Sequence, residues 1–423
     1  MNLSMDRKEV VRDMEQFVGR PARSPILRLR WAILVGLLVV PGLVFAAPQP
    51  SAPATVARKP AHVIADPAAF AKELHAHGYK AKGGIDRAET DSSDERMRSF
   101  PHFTSSFTFQ GVDYPYTMVG HPPASGRSTT LRTVIVPLRM NFVFFEQNPV
   151  IFEPGKAVNN IMNSPMYKEA SFPNGVGQFG DQIQRATFWN KMDADHSWHV
   201  RLDQPRVART FDVLVEPDIG DLFLTAPPSD PNSMLIGSLK FGALDSTIHT
   251  ILQSIDIEPD EVPIFVTYNV SADVALGYHD AFSVGKDDGT DVLQTLIYTS
   301  WLEPAAFGDL LADVSTFNHE LAELLNDPYV NNVVPAWKYP PDSDPRSTCA
   351  FNPFLEVGDP EGNGATFDDF PTVPIELHGY TYHLQDLVML PWFTGEKPSS
   401  AQNGWYDFPN TTLITVPFVP CSP

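Results

Sequence analysis

The sequence predicts an α+β domain: a mixed or antiparallel sheet with one helix against it that carries the chemistry. Three observations predict this. First, β-branched and aromatic runs ("TTLRTVIVPLRMNFVFF", "TFDVLVEP", "VPIFVTYNV") read as strands. Second, the helical patterns "AVNNIMNSPMY", "GDQIQRATFWNKM" and "LDSTIHTILQSI" fall between them irregularly, without a repeat period or a steady strand-helix alternation. Third, "FNHELAELLNDP" (317–328) joins an apolar helical stripe to a histidine and two glutamates on its other side.

At the N-terminus, Arg28 and Arg30 precede "WAILVGLLVVPGLVF" (31–45), an apolar run too short for an ordinary span and broken by Pro41 and Gly42. Val44 and Ala46 supply small residues, so residues 1–46 are expected to be a signal peptide cleaved after Ala46, leaving no stable membrane span. An uncleaved anchor is the alternative. The expected location is secreted or periplasmic. Residues 47–98, rich in Pro and Ala and then in charge, read as a linker or pro-segment, and 99–423 as the folded domain.

The chain carries a formal charge of −21, and its leader is net basic, so the mature part is more acidic still. Such a surface repels phosphate backbones and excludes nucleic acid as a partner. The two cysteines, Cys349 and Cys421, are expected to pair in an exported protein. "GVGQFG" (175–180) matches a dinucleotide-binding spacing, but "KEASFPN" before it does not read as the strand that motif needs.

Leu310, Val314, Phe317, Leu321 and Leu324 step by three and four, one apolar stripe of a helix over 310–325. His319 and Glu323 lie nearly opposite, among the small residues Ala312, Ser315 and Ala322. At i and i+4 they converge on one point, where imidazole nitrogen and carboxylate oxygen suit Zn²⁺ or a similar divalent ion. Glu320, beside that point, can take a proton from water acidified by the ion. This is the logic of an H-E-x-x-H helix with Glu323 in place of the second histidine. Pro328 ends the helix. A charged surface helix would produce the same pattern.

Upstream, "ALGYHDAFSV" and "DVLQTLIYTSWLEP" around "GKDDGT" predict a hairpin leading into the helix. The acidic tip reads as a plain turn rather than a Ca²⁺ loop. Downstream, Glu356 and Asp359 in "LEVGDP" offer a third ligand: the longer Glu356 is expected to reach the ion and Asp359 to support the loop. His279 on the hairpin could be a further ligand or a donor to a developing oxyanion.

The order "GYHDAF", "IYTSWLEP", "NHELAELLNDPYVNNVVPAW", "LEVGDP", "LHGYTYHLQDLVMLPWF" resembles exported bacterial proteins of uncharacterised function with an H-E-x-x-E helix. It is more distantly similar to the EXORDIUM-like (phosphate-induced) proteins of plants, over about residues 270–395. The resemblance implies a zincin-like extracellular fold. Together with the residues above it points to a secreted zinc-dependent hydrolase acting on a peptide or protein, with catalytic Glu320 and His279 and metal-binding His319, Glu323, Glu356 and Asp359. The alternative is a non-catalytic extracellular or cell-envelope binding protein on the same scaffold. His383 reads as structural, His196 and His199 as a spacing with nothing to complete it, and Trp337, Trp392 and Trp405 as core rather than the lining of a cleft.

Overall fold

The computed structural model describes residues 62–63, 100–144, 148–273, 275–285, 291–307, 311–337, 354–362, 372–398 and 400–409. The proposed signal peptide, both cysteines, the hairpin tip and all of the linker segment but His62–Val63 lie outside these residues. That dipeptide pairs in parallel with Phe223–Leu224. No helix among the described residues is long and apolar enough to cross a membrane.

The fold is mixed α+β, as expected. Its spine is β1 (Thr129–Phe142), the longest strand of the "TTLRTVIVPLRMNF" run. Four more strands complete the central path: β2 (Phe211–Val215), β3 (Glu261–Tyr268), β4 (Gly277–Gly285) and β5 (Asp291–Trp301). Their order is β2-β1-β3-β5-β4. The first four run parallel, and β4 closes one side antiparallel to β5, as the hairpin reading requires.

Alternation splits the apolar residues of these strands between two faces. Val134, Val136, Leu138 and Tyr298 line one core beneath helix α3 (Phe241–Leu252), which the "LDSTIHTIL" pattern anticipates. Leu131, Ile135 and Ile297 line the other, beneath α1 (Gly155–Met162), α2 (Phe179–Phe188) and α4 (Ser315–Asn326). A late antiparallel hairpin, β6 (Thr372–Leu377) and β7 (Tyr380–Gln385), packs on α4.

Three details differ from the sequence reading. Helix α4 begins at Ser315 rather than 310, because Asp313 adopts φ 38° and forms an isolated bridge with Leu302. Leu310, the first residue of the expected stripe, lies outside the described residues, and Leu311 packs in a small separate cluster with Leu302 and Phe307. Second, the face opposite the apolar stripe is not wet. Every residue from Ser315 to Asn326 is buried, so the charged-surface-helix alternative fails. Third, a short strand, Ala170–Phe172, does precede "GVGQFG", but it turns back antiparallel onto Gly175–Gly177. A two-stranded hairpin does not deliver a parallel-strand crossover, so the phosphate-binding context is still missing.

Candidate metal centre

The apolar stripe fixes how α4 lies. Phe317 stacks on Tyr167 at 6.2 Å, and Leu321 and Leu325 press against Gly180 of α2. This turns His319, Glu320 and Glu323 toward β4 and toward the loop 354–359. Two glycines permit the close approach. A Cβ on Gly277 would lie 2.7 Å from the Glu320 carboxylate, and one on Gly358 would lie 2.3 Å from His319 Nδ1.

His319 Nε2 is 3.1 Å from Glu323 Oε1 and 3.8 Å from Asp359 Oδ1. Across the same carboxylate, His279 Nδ1 is 3.4 Å from Glu323 Oε2 and 3.6 Å from Glu320 Oε2. The donor atoms thus form two groups, His319–Glu323–Asp359 and His279–Glu320–Glu323, each with its atoms within 4.8 Å of one another. The structure brings together five of the six residues singled out from the sequence. The sixth, Glu356, is fully buried and close enough to His279 to act on its charge, but it joins neither group. Asp359, expected to support the loop, is the loop residue whose carboxylate lies near His319, while Glu356, expected as the ligand, belongs to neither group. The backbone decides it, because Gly358 N donates to Glu323 Oε1 at 3.2 Å and so draws the residue after it, rather than the one before Val357, toward the helix.

The surroundings orient the imidazole. His319 Nδ1 donates to Gln385 Oε1 at 3.0 Å, which turns Nε2 toward Glu323 and Asp359. The Gln385 amide in turn donates to Gly358 O at 2.9 Å, and its backbone exchanges two hydrogen bonds with the Asn318 side chain. One side chain thus ties the helix, the late hairpin and the loop together. Sequence reading missed this role for Gln385. The signal was available, since His383 and Gln385 are two apart on one strand and share a face. His383 is structural, as expected: its Nδ1 lies 2.7 Å from Asp313 Oδ2, just before α4.

The electrostatics of the cluster favour a cation. Burial alone would depress His279, yet the carboxylates of Glu320, Glu323 and Glu356 raise its pKa well above the usual imidazole value. Burial likewise opposes charge on His319, and Glu323 and Glu320 outweigh it, raising that pKa too. Glu323 moves the other way. Burial pushes its pKa up, but the two imidazoles pull it down to about 2. For Glu320 burial wins and the pKa rises. Neither ring nitrogen of His279 makes a hydrogen bond, and neither does Glu320 Oε1, although both residues are buried. Buried polar atoms are normally satisfied, so orphan donors of metal-ligand type at one point fit a divalent ion.

The other residues noted in the sequence do not make a site. His199 is held by Asp181 of α2 at 2.8 Å, and the His196 ring lies tilted against Trp189 at 4.3 Å. Trp337 and Trp392 pack edge-on at 6.0 Å in the core. No protein family, curated protein or solved structure matches the chain.

Proposed function

We propose that the protein is a secreted or periplasmic metal-dependent hydrolase, acting on peptide bonds. The observation that carries the reading is the convergence of His319, Glu323 and Asp359 with a buried carboxylate, Glu320, whose Oε1 makes no hydrogen bond. A divalent ion, with Zn²⁺ the first choice for this nitrogen and oxygen donor set, supplies a Lewis acid that polarises a carbonyl and acidifies water. His319 is held in the ligating tautomer by Gln385, and Glu323 accepts the backbone N–H of Gly358. Glu320 receives the proton of the attacking water at Oε1 and passes it to the leaving amine. His279 faces the same carboxylates and carries the positive charge that steadies a developing oxyanion.

A peptide is the favoured substrate because, among the described residues, β4 ends the central sheet and pairs on one side only, with β5. An extended chain can add to such an edge through backbone hydrogen bonds. An antiparallel edge strand beside the ligand helix is also what supports a zincin-like reading of the fold.

The test is hydrolysis of a broad peptide mixture by the chelator-stripped chain before and after Zn²⁺ is restored. Restored cleavage that Glu320→Gln abolishes, with the ion at His319 retained, is the expected result. A second reading, a non-catalytic extracellular binding protein, is favoured by one observation: His279, His319, Glu320, Glu323 and Asp359 are each at most 2% exposed. Closed sites are typical of structural ions. Metal binding without cleavage of any peptide selects that reading.

A further inference from the structure

We propose that the cluster is built for two divalent cations rather than one, with the Glu323 carboxylate bridging them. This rests on the metal-site reading above and sharpens it. The two oxygens of Glu323 face different histidines: Oε1 faces His319 Nε2 at 3.1 Å and Oε2 faces His279 Nδ1 at 3.4 Å. Each oxygen completes its own group, with Asp359 on one side and Glu320 on the other. Among the described residues, no group holds both histidines.

Ligands on one ion at about 2.0–2.2 Å lie no more than roughly 4 Å apart. One ion therefore satisfies one group and leaves the other unused. A carboxylate with one oxygen on each ion is the ordinary device for holding a pair of ions about 3.5–4 Å apart.

The His279 side also shows its own unmet demand. Both nitrogens of His279 and Glu320 Oε1 lack hydrogen bonds. On β5, Thr299 is opposite Gly277 and Thr295 opposite Ala281, so both share the His279 face. Both hydroxyls are buried without a hydrogen bond. Nδ1 faces the Glu320 and Glu323 carboxylates, while His279 Nε2, Glu320 Oε1 and the two hydroxyls have no hydrogen-bond partner and suit an ion that keeps waters in its coordination shell. Glu320 binding through Oε2 leaves Oε1 to accept a proton, so its role above is preserved, whereas His279 as a ligand is neutral and the second ion takes over the charge assigned to it above.

The experiment is a metal count on the full chain, stripped with chelator and titrated with Zn²⁺, alongside His279→Ala, Glu320→Gln and Asp359→Asn. Two ions per wild-type chain are expected, and one in each variant, with a melting curve to establish that each variant is folded. Glu320→Gln is nearly isosteric and serves if His279→Ala does not fold. With Mn²⁺ the wild type is expected to give the spectrum of a magnetically coupled pair, and each variant that of an isolated ion. One ion in the wild type overturns the proposal and leaves the metal site standing. No ion overturns both. A second ion that survives both His279→Ala and Glu320→Gln is adventitious and overturns the proposal.

Discussion

Strand β4 carries a cluster of ligand-type residues on each of its faces, and the two are instructive together. Toward α4, His279 meets Glu320 and Glu323; toward α3, Asp280 meets Asp245 and His249. By residue type and spacing the two groups are equals. They differ in what surrounds them. The α3 group is partly open, with the His249 side chain 30% exposed, its ring against Phe282, and Asp245 engaged by Tyr278 OH at 3.3 Å. An unbonded ring nitrogen is common to both, His249 Nε2 on the α3 side, but the α4 group is sealed and adjoins a histidine whose tautomer is set by Gln385. Solvation makes an acidic cluster tolerable at a surface, whereas burial makes it costly unless a cation is part of the structure. Spacing nominates a site, and burial with outer-shell order distinguishes one.

The sharpest way to break this comparison is to remove the shared ligand. Glu323→Ala is expected to cost more metal affinity than the ~10–100-fold typical of losing an outer partner. Asp245→Ala should leave metal content unchanged. Equal losses in a competition titration against a chelator would mean that burial is not the discriminator.

Next come the glycines. Gly358→Ala forces the loop or the His319 ring to shift, since the new Cβ falls 2.3 Å from Nδ1. A destabilisation of about 1–3 kcal/mol is expected, together with metal loss. Gly242→Ala in α3, where a Cβ meets nothing within 4 Å, should be neutral or stabilise by up to about 1 kcal/mol. Urea melts of the two variants read the contrast directly.

Gln385→Leu keeps the bulk but removes the acceptor for His319 Nδ1. Metal affinity is expected to fall about 10–100-fold while the fold persists. Unchanged affinity would make Gln385 a packing residue only. The smallest effect is expected for Asp280→Asn, within about 0.5 kcal/mol in stability and without change in metal content.

Much of this architecture was legible in the sequence. The period-3.6 stripe of Phe317, Leu321 and Leu324 gave the packing side of α4, and the paired runs around 286–290 gave the β4–β5 hairpin. His319, Glu323, Glu320, His279 and the 356–359 loop could be brought together by order alone, because a helix after a hairpin must fold back on it. Three things were not legible. The choice of Asp359 over Glu356 depends on a backbone hydrogen bond from Gly358, and side-chain length is a poor guide to where a loop points. The start of α4 depends on the left-handed geometry of Asp313, which no local propensity signals. The complete burial of the helix depends in part on β7, some sixty residues later, covering a face that composition alone leaves ambiguous.

The central claim is that His319, Glu323 and Asp359 converge because they hold a cation. It is tested most directly by anomalous diffraction from crystals of the protein grown with Zn²⁺, collected on either side of the zinc edge. The account predicts a strong peak within ligand distance of His319 Nε2, Glu323 Oε1 and Asp359 Oδ1, and none at Asp245, His249 and Asp280. No peak at α4, or a peak only on the α3 side, would contradict it.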